Sequence, residues 1–197
     1  MVSGKPVSVK EIDEREAALR AGDRASALPR AGTGEGRQLR RWLTQLAVAE
    51  RVVCDEAARR ELTEDSAPTE HDVLPDLTAR LEIGSVAAAA LALPSARAVF
   101  ADLGAGIQIP AADIAAYHAR NPLRFATKTV GPQGWSGSPQ PPELAEVRDV
   151  ITAHLRAAAR RRAFRRWLDA RIAAAAELAP GYEHPGDPRQ PDNTHQH

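Results

Sequence analysis

The side chains with the most evident capacity for chemistry crowd the end of this 197-residue chain, in the run "GYEHPGDPRQPDNTHQH". His184, Asp187, Asp192, His195 and His197 lie there. Imidazole and carboxylate are the donors that hold Zn²⁺ or Fe²⁺, so His184, Asp187, His195 and His197 form a candidate metal set. The prolines and glycines around them describe an irregular, solvated tail, and closing it around an ion costs conformational entropy. The plain reading is a chain with no cofactor, and Zn or Fe is the alternative. A second stretch, "GWSGS" at Gly134–Ser138, begins like a Gly-x-Ser-x-Gly nucleophile elbow but ends in serine and follows no strand. It reads as loop, in which Trp135 either tucks onto its own domain or closes over a ligand.

His118 and His154 fall on predicted helices and join His184 as the candidate acid–base groups. His154 sits at the rim of an apolar face, the position of a hydrogen-bonded core histidine. Arg161 and Arg165 lie beside the apolar side of the last predicted helix. A buried guanidinium needs an anion. Structural pairs with Glu16, Glu50 or Asp102 are preferred. The alternative is an anion-binding cleft, and Tyr117, Trp135, Arg161, Arg165 and Trp167 are the candidate ligand-binding set. Cys54, the single cysteine, stands one position from an apolar stripe with no base in view. It reads as a small core or boundary residue, and a disulfide within the chain is excluded.

Helices must position these groups. "VSGKPVSV" alternates around a Gly-Lys-Pro turn and predicts a short strand or hairpin. Ser8 and Glu11 have capping-box spacing and start a helix that stops at Gly22, with a thin stripe of Ile12, Glu16 and Leu19. A Gly-rich connection precedes a second helix, from about Glu35 to Leu62, striped by Leu39, Trp42, Leu43, Leu46, Val53 and Ala57. "TEDSAPTEHD" reads as a loop. Short helices punctuated by Pro75, Gly84, Pro94 and Gly104 follow, and then the extended "IQIP". The next helix starts at Pro110, turns Ile114 and Tyr117 inward, and ends before Pro122. From Pro142 to about Leu178 runs the longest helix. Its first face carries Leu144, Val147, Ile151, Leu155 and Ala158. Its second, with Phe164, Leu168, Ile172 and Ala175, is rotated by about a quarter turn. Either the helix bends at "ARRRAFRR" or its halves meet different partners.

Composition narrows the classes. Hydrophobic residues make up 43% and aromatics 4%, so an alanine-rich core must pack closely to bury enough area. Lys+Arg and Asp+Glu are each 26, which argues against nucleic-acid binding, since that needs surplus cations. The abundance of alanine, and of arginine over lysine, reads as a high-GC bacterial coding bias. No apolar leader core and no stretch of about 20 apolar residues is present. The expectation is a soluble, cytoplasmic protein with no membrane partner.

Three segments, in order, resemble the SurA/parvulin-type peptidyl-prolyl isomerase-chaperones. "VSGKPVSVKEIDEREAALR" resembles that family's strand and first helix. "IQIPAADIAAYHARNPLRF", with Tyr117, Asn121, Pro122 and Phe125, resembles the helix that delivers the chain into the parvulin domain. "RDVITAHLRAAARRRAFRRWLDARI" resembles the helix that takes the chain back. In the family a catalytic domain lies between the last two. Here residues 126–142 are 17, which at about 3.5 Å each can join two helices but cannot build that domain. The histidines and the Cys/Asp of the parvulin site have no counterparts, so prolyl isomerase activity does not carry over.

The resemblance implies an all-α fold: a SurA N-terminal-like helical domain over residues 1–178, with a short N-terminal strand or hairpin and a long C-terminal helix. Residues 126–142 are a Gly/Pro linker and 179–197 a Pro/His-rich tail. It also implies a non-catalytic chaperone or peptide-binding module whose partner is an unfolded peptide or another protein. A homodimer is compatible with the sequence. The alternative is a small accessory biosynthetic enzyme using the vacated cleft for His/Asp acid–base or metal chemistry.

Overall fold

The computed structural model of the chain describes residues 6–23, 25–126, 141–175 and 177, and every regular element among them is helical. The expected N-terminal strand is not found in this part of the chain. Pro6–Ser8 run without a partner strand straight into α1 (Val9–Ala21). Ser8 is its N-cap, and the serine hydroxyl accepts from the Glu11 N–H at 3.1 Å. The glutamate arm of the expected capping box is used elsewhere: Glu11 pairs with Arg51 at 2.5 Å and with Arg15 at 3.4 Å.

α2 (Gly34–Arg59) is the central element, started by Thr33, whose hydroxyl accepts from Gly36. Its stripe buries Leu43, Ala47, Val48, Ala49, Val52, Val53 and Ala57. The helix ends three residues before the predicted boundary at Leu62. Glu61 there adopts φ 55°, its N–H reaches the Ala58 carbonyl, and the Leu62 N–H reaches that of Ala57. This is a Schellman end built on glutamate where glycine is usual, so no residue type marked it.

The predicted loop after α2 contains α3 (Glu70–Val73), closed at its start by a reciprocal box between Thr69 and Asp72. α4 (Leu77–Ile83), α5 (Ser85–Ala90) and α6 (Pro94–Gly104) follow. Between α4 and α5, Gly84 takes φ 86° and ψ 154°, a conformation open in practice only to glycine. α7 (Ala111–Arg120) is preceded by Pro110 as its N-cap, and α8 (Leu144–Ala175) is the longest helix.

α8 resolves the change of face in its sequence. Its first half, with Val147 and Ile151, packs with Ile114 of α7 in a small cluster flanked by Ile109, Tyr117, Phe125, Leu144 and Leu155. Its second half sends Phe164 and Leu168 into the main core, among residues of α2, α4, α5 and α6. The two halves therefore meet different partners. Phe164 is fully buried, with its ring 5.7 Å from those of Phe100 and Trp167.

α1 is held on α2 largely by charge. Its apolar contact is Ile12 against Leu43 and Ala47, too little to fix a helix alone. Arg15 pairs with Glu50 at 2.6 Å, and Arg40 bridges Asp13 at 2.6 Å and Glu16 at 2.7 Å. Glu16 also takes Arg20. The hydrogen bond from Arg20, with Arg40 adding to it, holds the Glu16 carboxyl below the usual range despite its burial.

Candidate functional site

The predicted site residues separate into two places. The first is the junction of α7 and α8. Tyr117 faces His154 with ring centres 5.4 Å apart and Phe125 at 6.3 Å, and the Arg124 guanidinium lies 5.9 Å from the centre of the Tyr117 ring. His154 packs on this ring and has no hydrogen-bond partner among the described residues, unlike the hydrogen-bonded histidine the sequence suggested. Burial, followed by the charges of Arg124 and Arg161, pushes its pKa down, so it is a neutral imidazole near pH 7. His118 is tied instead: its Nε2 lies 2.8 Å from the carbonyl oxygen of Pro142. Pro142 thus precedes α8 as an anchor and does not open the helix. Among the described residues, the two ends of the 126–142 connection meet here. Phe125 and Leu144 pack into the same cluster.

The second place is the seam between α2, α5 and α8. A cavity of about 260 Å³ opens there, lined by Gln45, Gly84, Ser85, Val86, Ala87, Arg165, Leu168, Asp169 and Ile172. Arg165 spans its edge, donating from Nη1 to the Ile83 carbonyl at 2.7 Å and from Nε to Asp169 at 2.7 Å. A Cβ at Gly84 would also meet Arg165 Nη1, so a side chain there would displace the guanidinium from its place at the cavity edge. Trp42 reaches over from α2 and donates its indole N–H to the Ser85 hydroxyl at 3.1 Å.

Arg161 is buried and paired, as its position on the helix requires, but with none of the expected carboxylates. Its Nε and Nη2 both lie 2.8 Å from Glu82 Oε2, and Arg162 approaches Oε1 at 3.2 Å. Glu16, Glu50 and Asp102 serve Arg20 and Arg40, Arg15, and Arg60 respectively. Trp167 is half-buried against Phe164 and belongs to the core packing. Cys54 is exposed, with Sγ 3.6 Å from Ser95 Oγ.

Trp135 and the tail residues His184, Asp187, Asp192, His195 and His197 lie outside the described residues. Among the described residues, no group of three His, Cys, Asp or Glu side chains converges as a metal site. No helix among them is long and apolar enough to cross a membrane. Reasoning from sequence missed Gln45, Ser85 and Asp169 as lining groups, and Trp42 as the partner of Ser85. Only Asp169 carried a local signal, its four-residue spacing from Arg165. A family model described as a family of unknown function (DUF7158) matches residues 1–35, the stretch holding α1 and the approach to α2. No curated protein matches the chain, and no solved structure does.

Proposed function

We propose that this chain is a non-catalytic binding module of the SurA-like chaperone type, which holds a segment of unfolded or partner protein and lacks prolyl isomerase activity. The observation that carries the reading is the cavity on the seam between α2, α5 and α8, lined in part by Val86, Ala87, Leu168 and Ile172, with Arg165 at its edge. Concave apolar surface with a few fixed polar groups is what a binding site needs. The meeting of Phe125, Pro142 and Leu144 supports the second half of the statement. The residues on either side of 127–140 lie at one place, as at a site where a domain is carried or omitted.

The test is light scattering from reduced, aggregating insulin. The full chain is expected to suppress aggregation at molar excess, and a chain ending at Pro180 is expected to do so equally. Absence of suppression by both would sink the proposal. Metal analysis of untagged protein runs beside it. Stoichiometric zinc or iron lost with the tail would shift the reading to His/Asp acid–base or metal chemistry.

A further inference from the structure

The seam cavity has features that specify its occupant, and this inference rests on the binding reading above and names the ligand of that cleft. Its volume of about 260 Å³ is below the roughly 300–1,000 Å³ of sites for whole small molecules. It suits one side chain. Val86, Ala87, Leu168 and Ile172 form its apolar wall, and burying a charged group against them without a partner would be costly.

The rim supplies the rest of the recognition. Arg165 spends Nε on Asp169 and Nη1 on Ile83, which leaves Nη2 without a partner among the described residues. Asp169 receives Arg165 on Oδ2, which leaves Oδ1 open in the same sense. A donor and an acceptor thus belong to two paired side chains four residues apart on α8, both lining the cavity. One residue of an extended chain presents its C=O and N–H to the same side, the matching pair. Ser85 adds a hydroxyl whose oxygen already accepts from Trp42 and whose proton is therefore available to donate. We infer that the cavity docks one aliphatic side chain of an extended polypeptide segment, whose backbone C=O and N–H pair with Arg165 Nη2 and Asp169 Oδ1.

The probe is a blocked seven-residue Ser/Ala peptide with one central leucine, titrated into ¹⁵N-labelled full chain. The readout is the indole N–H of Trp42, assigned with Trp42→Phe. The leucine peptide is expected to shift this signal saturably. A central glycine should weaken binding at least about tenfold, as expected for losing one buried leucine. Ile172→Trp, which fills the cavity from α8, should abolish binding with helicity retained. If that variant fails to fold, Asp169→Ala at an exposed position serves, with a several-fold loss expected. Equal binding of the leucine and glycine peptides, or unchanged binding by the variant, overturns the inference. Insulin aggregation separates it from the broader reading. Suppression that survives Ile172→Trp overturns the cavity and leaves the chaperone reading. Peptide binding at Trp42 without any suppression upholds the cavity and overturns the chaperone reading.

Discussion

Glu56 of α2 and Arg171 of α8, 115 residues apart, meet at 3.3 Å. The carboxylate is 2% exposed and also receives Arg59 at 2.6 Å and Arg60 at 2.6 Å. Arg60 in turn holds Asp102 of α6. One buried anion thus ties the end of the central helix to α6 and α8.

The Arg59 hydrogen bonds, outweighing burial and joined by Arg60, lower the Glu56 pKa from 4.5 to about 2. The folded chain therefore binds a proton here less readily than the unfolded chain. The resulting stability is complete above pH 4.5 and is lost as pH falls toward 2. The contribution is on the order of 3 kcal/mol. Urea midpoints across that window should fall steeply for the natural chain and less steeply for Glu56→Gln.

Glu61 holds a left-handed conformation, φ 55°, at the end of α2. That costs a non-glycine residue about 1–2 kcal/mol, partly offset by the greater unfolded freedom of glycine. Glu61→Gly should therefore stabilise the protein by about 0.5–1 kcal/mol, seen as a higher urea midpoint with an unchanged slope. Unchanged or lower stability would show that the glutamate side chain compensates for its backbone.

Gly84→Ala should act in the opposite direction. Its φ of 86° with ψ 154° is strained for alanine, and the new methyl meets Arg165. A loss of about 1–3 kcal/mol is expected, measured as a lower thermal midpoint. Arg165→Ala should relieve only the steric part, so the double variant should remain less stable than Arg165→Ala alone.

His154 should titrate below 6.5, followed through its ring resonances. Burial is the main cause, with Arg124 and then Arg161 adding to it against Glu82 and Asp76. Because the folded value is depressed, this imidazole contributes stability above 6.5 that fades as pH falls. Arg124→Ala should raise the midpoint slightly. A midpoint above that of a free imidazole would mean the ring is not packed as described.

These sites show what could be read from the residues alone. The α2 stripe and the two faces of α8 were legible because helical periodicity is local and repeats over many turns. The requirement that Arg161 be paired was legible from its position. Glu82 as its partner was not, because the two are 79 residues apart and nothing local encodes such a meeting. The alternation over residues 2–9 promised a strand, but of its described residues Pro6 and Val7 lie in no strand and Ser8 and Val9 serve as cap and first residue of α1; strand pattern alone does not supply a neighbour to pair with. α3 hid in a polar run because its four residues hold too little periodicity to detect. Of the residues lining the cavity, the sequence names Arg165 as a candidate. Leu168, Asp169 and Ile172 share its helix, but Gln45 comes from α2 and Gly84–Ala87 from the start of α5, and only folding places these beside it.

The bond between His118 and Pro142 has an evolutionary corollary. Where two points of a chain are already fastened side by side, doubling the length of a flexible segment between them costs only about 0.6 kcal/mol of extra closure entropy. A lineage could therefore lengthen, shorten or exchange the sequence between these two points at little cost, while α7 and α8 register no change.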